Sequence, residues 1–221
     1  MSSQSERRAI LSFLNDLRAN NDRDWFEAER SRYEMARSSF LDLVGELIAA
    51  FGAVDELAGA TPRDCVFRIN RDLRFGKDKR PYKSTMSALI GPLGRKSGAR
   101  SYYFHLEPGA SMLAGGLHAP SPGQLGAFRE AVARDARPLR RIVAASDFEA
   151  YFGGLSGESL KTAPQGYAKD HPAIDLLRRK TILAVHPMDD DFVCSTDLVA
   201  HSLAVFKAMK PFLLYLEKAS G

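Results

Sequence analysis

The sequence predicts an α+β protein: a central, mostly antiparallel sheet with helices at both chain ends. Three observations carry this. Helix-period apolar patterns occupy the first fifty residues and the last twenty-five. Period-two patterns cluster in the middle of the chain. The connections between those strands are short, which favours antiparallel pairing. No repeat, low-complexity linker or composition break divides the 221 residues, so one α+β domain over 1–221 is expected.

Taken in order, residues 6–19 place Ile10, Leu11, Phe13, Leu14 and Leu17 on one helical face. Asn21 or Asp22 then caps a second helix, with Asp24 and Glu27 at the positive end of its dipole. Its apolar positions continue through Tyr33, Phe40, Val44, Leu47, Ile48 and Phe51, and Gly52 ends it. From Cys65 the register changes. Cys65, Phe67, Ile69, Leu73 and Phe75 share one parity, with Arg71 the exception, while Arg68, Asn70, Asp72 and Arg74 share the other. A strand over 65–75 with one dry and one polar face is expected.

"GKDKRPYKS" reads as a loop, because Pro81 cannot donate to a ladder. "TMSALIGPLG" reads as a short strand, and "SYYFHLEPGASMLAGGLH" as a hairpin turning at Pro108-Gly109. Gly115 and Gly116 weaken a strand, so they predict a bulge or the close approach of another backbone. Ser121 and Pro122 open one or two helices broken near Pro138. A Pro/Gly loop leads into a short helix at Pro172. "TILAVHPM" reads as a buried strand, and an amphipathic helix closes the chain.

Composition narrows the function classes. Hydrophobic residues make up 45% and charged residues 26%, the range of a soluble globular protein. No apolar run reaches the roughly 20 residues that cross a bilayer, and the N-terminus lacks a secretory h-region. A cytoplasmic protein without membrane contact is expected. Cys65 and Cys194 lie in apolar runs and read as buried reduced thiols.

The charge is uneven. Between Arg63 and Arg100 eleven Lys or Arg face three Asp, a net +8 in a chain of net +4, so the remainder carries −4. Such a localised basic patch is the footprint of an anionic partner. Arginine forks suit phosphate or carboxylate because they donate two parallel hydrogen bonds. The expected ligand site is Arg68, Arg71, Arg74, Lys77, Lys79 and Lys83, with Tyr82 beside them and Asp72 orienting the guanidinium groups. The competing reading is an internal salt-bridge lattice of Arg68, Asp72 and Arg74 with Lys79 and Asp78.

Two further constellations suit proton transfer. Tyr103, His105 and Glu107 share a strand face; His105 and Glu107 are also half of a metal site, but no third ligand is fixed by spacing. Asp170 beside His171 is an acid–base pair or a helix cap. His118, His186 and His201 are isolated. Trp25, Phe26 and Tyr33 read as core. There is no nucleophile elbow, His-x-x-x-His or dinucleotide fingerprint, so neither a metal nor a cofactor is expected.

The stretches "LRANNDRDWFEAERSRY", "CVFRINRDLRFGKDKRPYKS", "YYFHLEPGASMLAGGL", "LKTAPQGYAKDHP" and "PFLLYL" occur in that order. The chain thereby resembles the conserved hypothetical proteins of domain-of-unknown-function family 2461, from about Leu11 to Leu216. The resemblance implies a compact α+β domain and no activity. One departure is Gly76, where relatives usually carry Ser; chemistry that needs a hydroxyl there is missing from this chain. Three functions remain. The leading one is binding of a phosphate-bearing small molecule or a nucleic-acid backbone. The second is a phosphate-ester enzyme using the same cations with His105, or Asp170 and His171, moving protons. The third is an interaction module that meets an acidic partner.

Overall fold

Helices at both ends of the chain flank a four-stranded antiparallel sheet, the α+β class that the periodicities predict. The computed structural model describes residues 3–52, 55, 57, 59–74, 78–97 and 100–220. Phe75, Gly76 and Lys77 therefore lie outside the described residues. The strands are β1 (Met86–Ile90), β2 (Tyr102–Leu106), β3 (Ser111–Leu117) and β4 (Ile182–Met188), hydrogen-bonded in that order.

Contacts group the chain into two compact units. One comprises Met1–Ser97, Tyr103–Leu113 and Pro187–Ala204; the other comprises Gly98–Tyr102, Ala114–His186 and Val205–Gly221.

The first unit opens with α1 (Gln4–Ala19), whose Ser3 and Glu6 form a reciprocal capping box. Asp22 caps α2 (Arg23–Ala28) by accepting the Trp25 N–H at 2.9 Å, the cap expected from sequence. The predicted single helix divides at Glu29 into α2 and α3 (Arg30–Phe51). The break is slight, since Glu29 N–H still bonds the Trp25 carbonyl and Tyr33 N–H the Glu29 carbonyl. Phe13 packs on Trp25, Phe26 and Tyr33, which places these aromatics in the apolar layer as expected. Phe40 of α3 stacks on Phe104 of β2 at 5.9 Å. Because side chains alternate along a strand, that contact leaves Tyr103, His105 and Glu107 on the opposite side.

The expected strand over 65–75 requires correction. Thr61 caps a one-turn helix α4 (Pro62–Cys65) that opens with proline at its first position, so Cys65 is helical. Beyond it the chain is extended but forms no regular strand. It runs along the outer edge of β1 through isolated antiparallel bridges, Val66 to Ala88 and Asn70 to Tyr82. Phe67 N–H bonds the Ser87 carbonyl, and Lys83 N–H bonds the Ile69 carbonyl. Residue 68 alone therefore faces residues 84–86. That bulge breaks the ladder and re-aims the side chains around it. The predicted alternation survives from 67 to 74: Ile69 is buried, while Arg68, Asn70, Asp72 and Arg74 are exposed.

In the second unit, the helices after Ser121 are α5 (Pro122–Arg134), α6 (Arg137–Val143) and α7 (Ser146–Phe152), then α8 (Ile174–Leu177). Gly116 explains itself. It has φ +120°, and a Cβ there would lie 2.2 Å from the Ile182 carbonyl oxygen, the close backbone approach read from sequence. Phe148 and Phe212 pack edge to face at 5.7 Å. After a one-turn α9 (Asp190–Val193), α10 (Leu198–Ser220) closes the chain. Its length and a mean hydropathy of 1.2 suffice for a membrane span, yet Leu198, Val205, Phe206, Met209, Phe212, Leu213 and Leu216 are all buried within the protein.

Candidate functional site

The first unit alone carries the site. Around residue 68 the structure sorts the predicted cations into two groups. Arg74 and Arg80 are each committed to a carboxylate two residues back. Arg74 grips Asp72 through Nε at 3.1 Å and Nη2 at 2.8 Å, and Asp72 also accepts the Arg74 backbone N–H. Arg80 grips Asp78 in the same way, with Nη2 at 2.6 Å. These fork contacts hold both carboxyls below the usual carboxylate range. The Arg74 side chain is 76% exposed, so the pair is a local surface clasp and not a buried lattice. Lys79 donates to the Leu73 carbonyl at 3.1 Å.

The second group faces Phe67. Lys83 Nζ donates to the Arg68 carbonyl at 3.2 Å and sits 5.7 Å from the Phe67 ring centre. Arg95 lies 5.9 Å from the same ring and donates to the Val66 carbonyl. Arg71 reaches the Tyr82 carbonyl and stands 3.4 Å from Asp78, which it shares with Arg80. Its Nε is buried without a hydrogen-bond partner among the described residues. Arg68 and Lys83 have no carboxylate within ion-pairing distance among the described residues. Burial, with Arg68 and Arg71 adding repulsion, pushes the Lys83 ammonium below its ordinary pKa.

Tyr82 anchors this group. Its backbone exchanges two 3.1 Å hydrogen bonds with the Asn21 side chain, and its ring stacks on Phe26 at 3.9 Å. Thus the helix start at Asn21 fixes the loop that delivers Lys83, while the Tyr82 ring is turned into the aromatic core.

On β2, Tyr103, His105 and Glu107 form a hydrogen-bonded chain. Tyr103 Oη lies 2.9 Å from His105 Nδ1, and His105 Nε2 lies 3.1 Å from Glu107 Oε2. A carboxylate only accepts, so Nε2 carries the proton, and with that tautomer Nδ1 can accept the phenol proton. Ser87 of β1 lies beside the phenol. Burial, with the Glu107 charge adding to it, pushes the Tyr103 phenol upward, so it is protonated at neutral pH. His105 is only 7% exposed, although the alternation alone suggests a solvated face. Phe67 joins the two halves: its ring meets Tyr103 edge to face at 6.5 Å and carries Lys83 and Arg95.

Asp170 and His171 are not part of this assembly. They precede α8 in the other unit, where His171 Nδ1 accepts the Ala173 N–H at 3.1 Å as a helix-entry cap would. His186 bonds the Tyr151 carbonyl, and His201 packs on Phe192. No group of three metal-ligating side chains occurs among the described residues. The sequence reading passed over Phe67, Ser87 and Arg95 as site residues. Phe67 left a signal as an aromatic of the alternating pattern beside Arg68, and Arg95 as one of the cations of the basic segment; Ser87 left none.

An α+β protein with a hydrogen-bonded tyrosine–histidine–glutamate chain on its sheet, Lys83 and Arg95 packing on Phe67 beside it, is the class that fold and site define. The chain belongs to the family of conserved hypothetical proteins DUF2461, whose pattern it matches over residues 9–215. No curated protein and no solved structure matches it.

Proposed function

We propose that the chain binds a phosphate-bearing ligand on the face formed by Arg68, Arg71 and Lys83 beside Phe67. One observation supports the reading above the rest: the half-buried Lys83 ammonium, held by the Arg68 carbonyl over the Phe67 ring, has no carboxylate partner among the described residues. Like charges held together cost free energy that an incoming dianion returns. Arg74 and Lys79 stand outside this inner group and act as a cationic rim; Lys77, expected in the site from sequence, lies outside the described residues. The reading keeps the expectation of a cytoplasmic protein with reduced thiols, supported by the burial of Cys65 and Cys194.

Calorimetric titration with inorganic phosphate tests the proposal. The parent binds, and Lys83→Met weakens binding at least tenfold, about 1.4 kcal/mol. A compact phosphate site gives a shallow salt dependence. A site that follows a nucleic-acid backbone binds a single-stranded oligonucleotide instead, with affinity falling steeply as counterions are released. Failure to bind either probe refutes the proposal.

A further inference from the structure

We propose that this face hydrolyses phosphate esters, with Tyr103 as the group that takes the proton from the attacking water and His105 and Glu107 as the relay behind it. The inference rests on the binding of a phosphate-bearing ligand at Arg68, Arg71 and Lys83. It adds a reaction and a catalytic residue to that reading.

Four observations lead here. The chain of hydrogen bonds runs carboxylate, imidazole, hydroxyl, the order in which a carboxylate orients an imidazole so that it can accept a hydroxyl proton. Both imidazole nitrogens are engaged inside the chain and the ring is buried, so His105 does not itself meet a substrate; Tyr103, which is only half-buried, is the end of the chain that can. The phenol oxygen donates to His105, which leaves its lone pairs free to accept from a water. Finally, the phenol and the Lys83 ammonium pack against the same Phe67 ring, so proton acceptor and phosphate-binding cation share one wall.

The step balances without a further reagent. A water beside Tyr103 gives a proton to the phenol oxygen while the phenol passes its own to His105 Nδ1. The imidazolium so formed is held by Glu107. The water oxygen forms a bond to phosphorus, and the bond from phosphorus to the ester oxygen breaks. The departing alkoxide takes a proton from solvent on the far side of phosphorus, and the imidazolium returns its proton through Tyr103 to solvent, which restores the chain and releases alcohol and phosphate. Lys83 and the guanidinium groups stabilise the charge that gathers on the phosphoryl oxygens.

The test uses the full chain with p-nitrophenyl phosphate and bis(p-nitrophenyl) phosphate. The parent is expected to hydrolyse at least one of them. Tyr103→Phe, checked for an intact fold by circular dichroism, lowers kcat about a hundredfold or more and leaves KM within about threefold. Glu107→Gln, which keeps an acceptor beside Nε2, also lowers kcat with little change in KM. Arg68→Ala instead raises KM together with the dissociation constant for inorganic phosphate. If the parent binds phosphate yet hydrolyses neither ester, the binding reading stands and this inference falls. Hydrolysis that survives Tyr103→Phe overturns it equally. If neither phosphate nor the oligonucleotide binds, the binding reading has failed, and the inference with it.

Discussion

His105→Leu probes the chain on β2 through stability alone. Leucine keeps the bulk of the ring and deletes both of its hydrogen bonds. The bond to the Glu107 carboxylate belongs to the charge-assisted class, worth about 1.5–3 kcal/mol; the bond to the Tyr103 phenol is worth about 0.5–1.5 kcal/mol. The Glu107 side chain is 31% exposed and can turn to water, so its share falls at the low end. Leucine recovers part of the loss as apolar burial. A net cost of about 1–3 kcal/mol remains, which for a chain of this length lowers Tm by roughly 2–12 °C. Urea unfolding of the parent, His105→Leu, Tyr103→Phe and the double variant closes a thermodynamic cycle. A coupling of about 0.5–3 kcal/mol between the two positions is expected. A His105→Leu variant as stable as the parent, or two strictly additive changes, would show that the groups are not a bonded network.

Three more perturbations follow from single features. Gly116→Ala forces a Cβ onto the Ile182 carbonyl at positive φ and should cost about 2–5 kcal/mol, whereas Gly115→Ala meets the flexible end of Met209 and should cost about 1–2 kcal/mol in the same urea assay. Arg74→Ala removes an exposed clasp and should leave Tm unchanged; a large drop would restore the buried-lattice reading. Lys83 sets a pH dependence whose sign is fixed. Its folded pKa lies below the ordinary lysine value of 10.5, so the unfolded chain binds this proton more tightly. Stability contributed by this group therefore rises with pH between the folded pKa and 10.5, and Lys83→Met should lose that alkaline rise relative to the parent.

Much of the architecture was legible because local rules govern it. The β2–β3 hairpin follows from alternation around Pro108-Gly109, and the terminal helices follow from their apolar spacing and from Asp22 as a cap. The alternation also exposes Arg68 and Arg74 correctly, even though no regular strand forms there. The helical turn at Pro62–Cys65 had a signal, the Thr61-Pro62 start with Asp64 two residues on, but the period-two pattern beginning at Cys65 outvoted it. The bulge opposite Arg68 had none, since it depends on how residues 84–86 return along the edge of β1. The burial of His105 was equally hidden. A strand face records which residues are polar, not what packs on them, and here Phe67, brought from far earlier in the chain, packs on the neighbouring Tyr103. The basic segment was visible as charge, but its division into clasped and unclasped cations depends on which guanidinium reaches which carboxylate.

The central claim is that Arg68, Arg71 and Lys83 form a site for a phosphate-like dianion. Crystals of the chain grown or soaked with tungstate, a tetrahedral dianion with a strong anomalous signal, test it most directly. The account predicts an anomalous peak within hydrogen-bond reach of Lys83 Nζ and of the Arg68 or Arg71 guanidinium, beside the Phe67 ring. Tungstate bound only elsewhere, or Lys83 and Arg68 engaged by carboxylates of the chain, would contradict it.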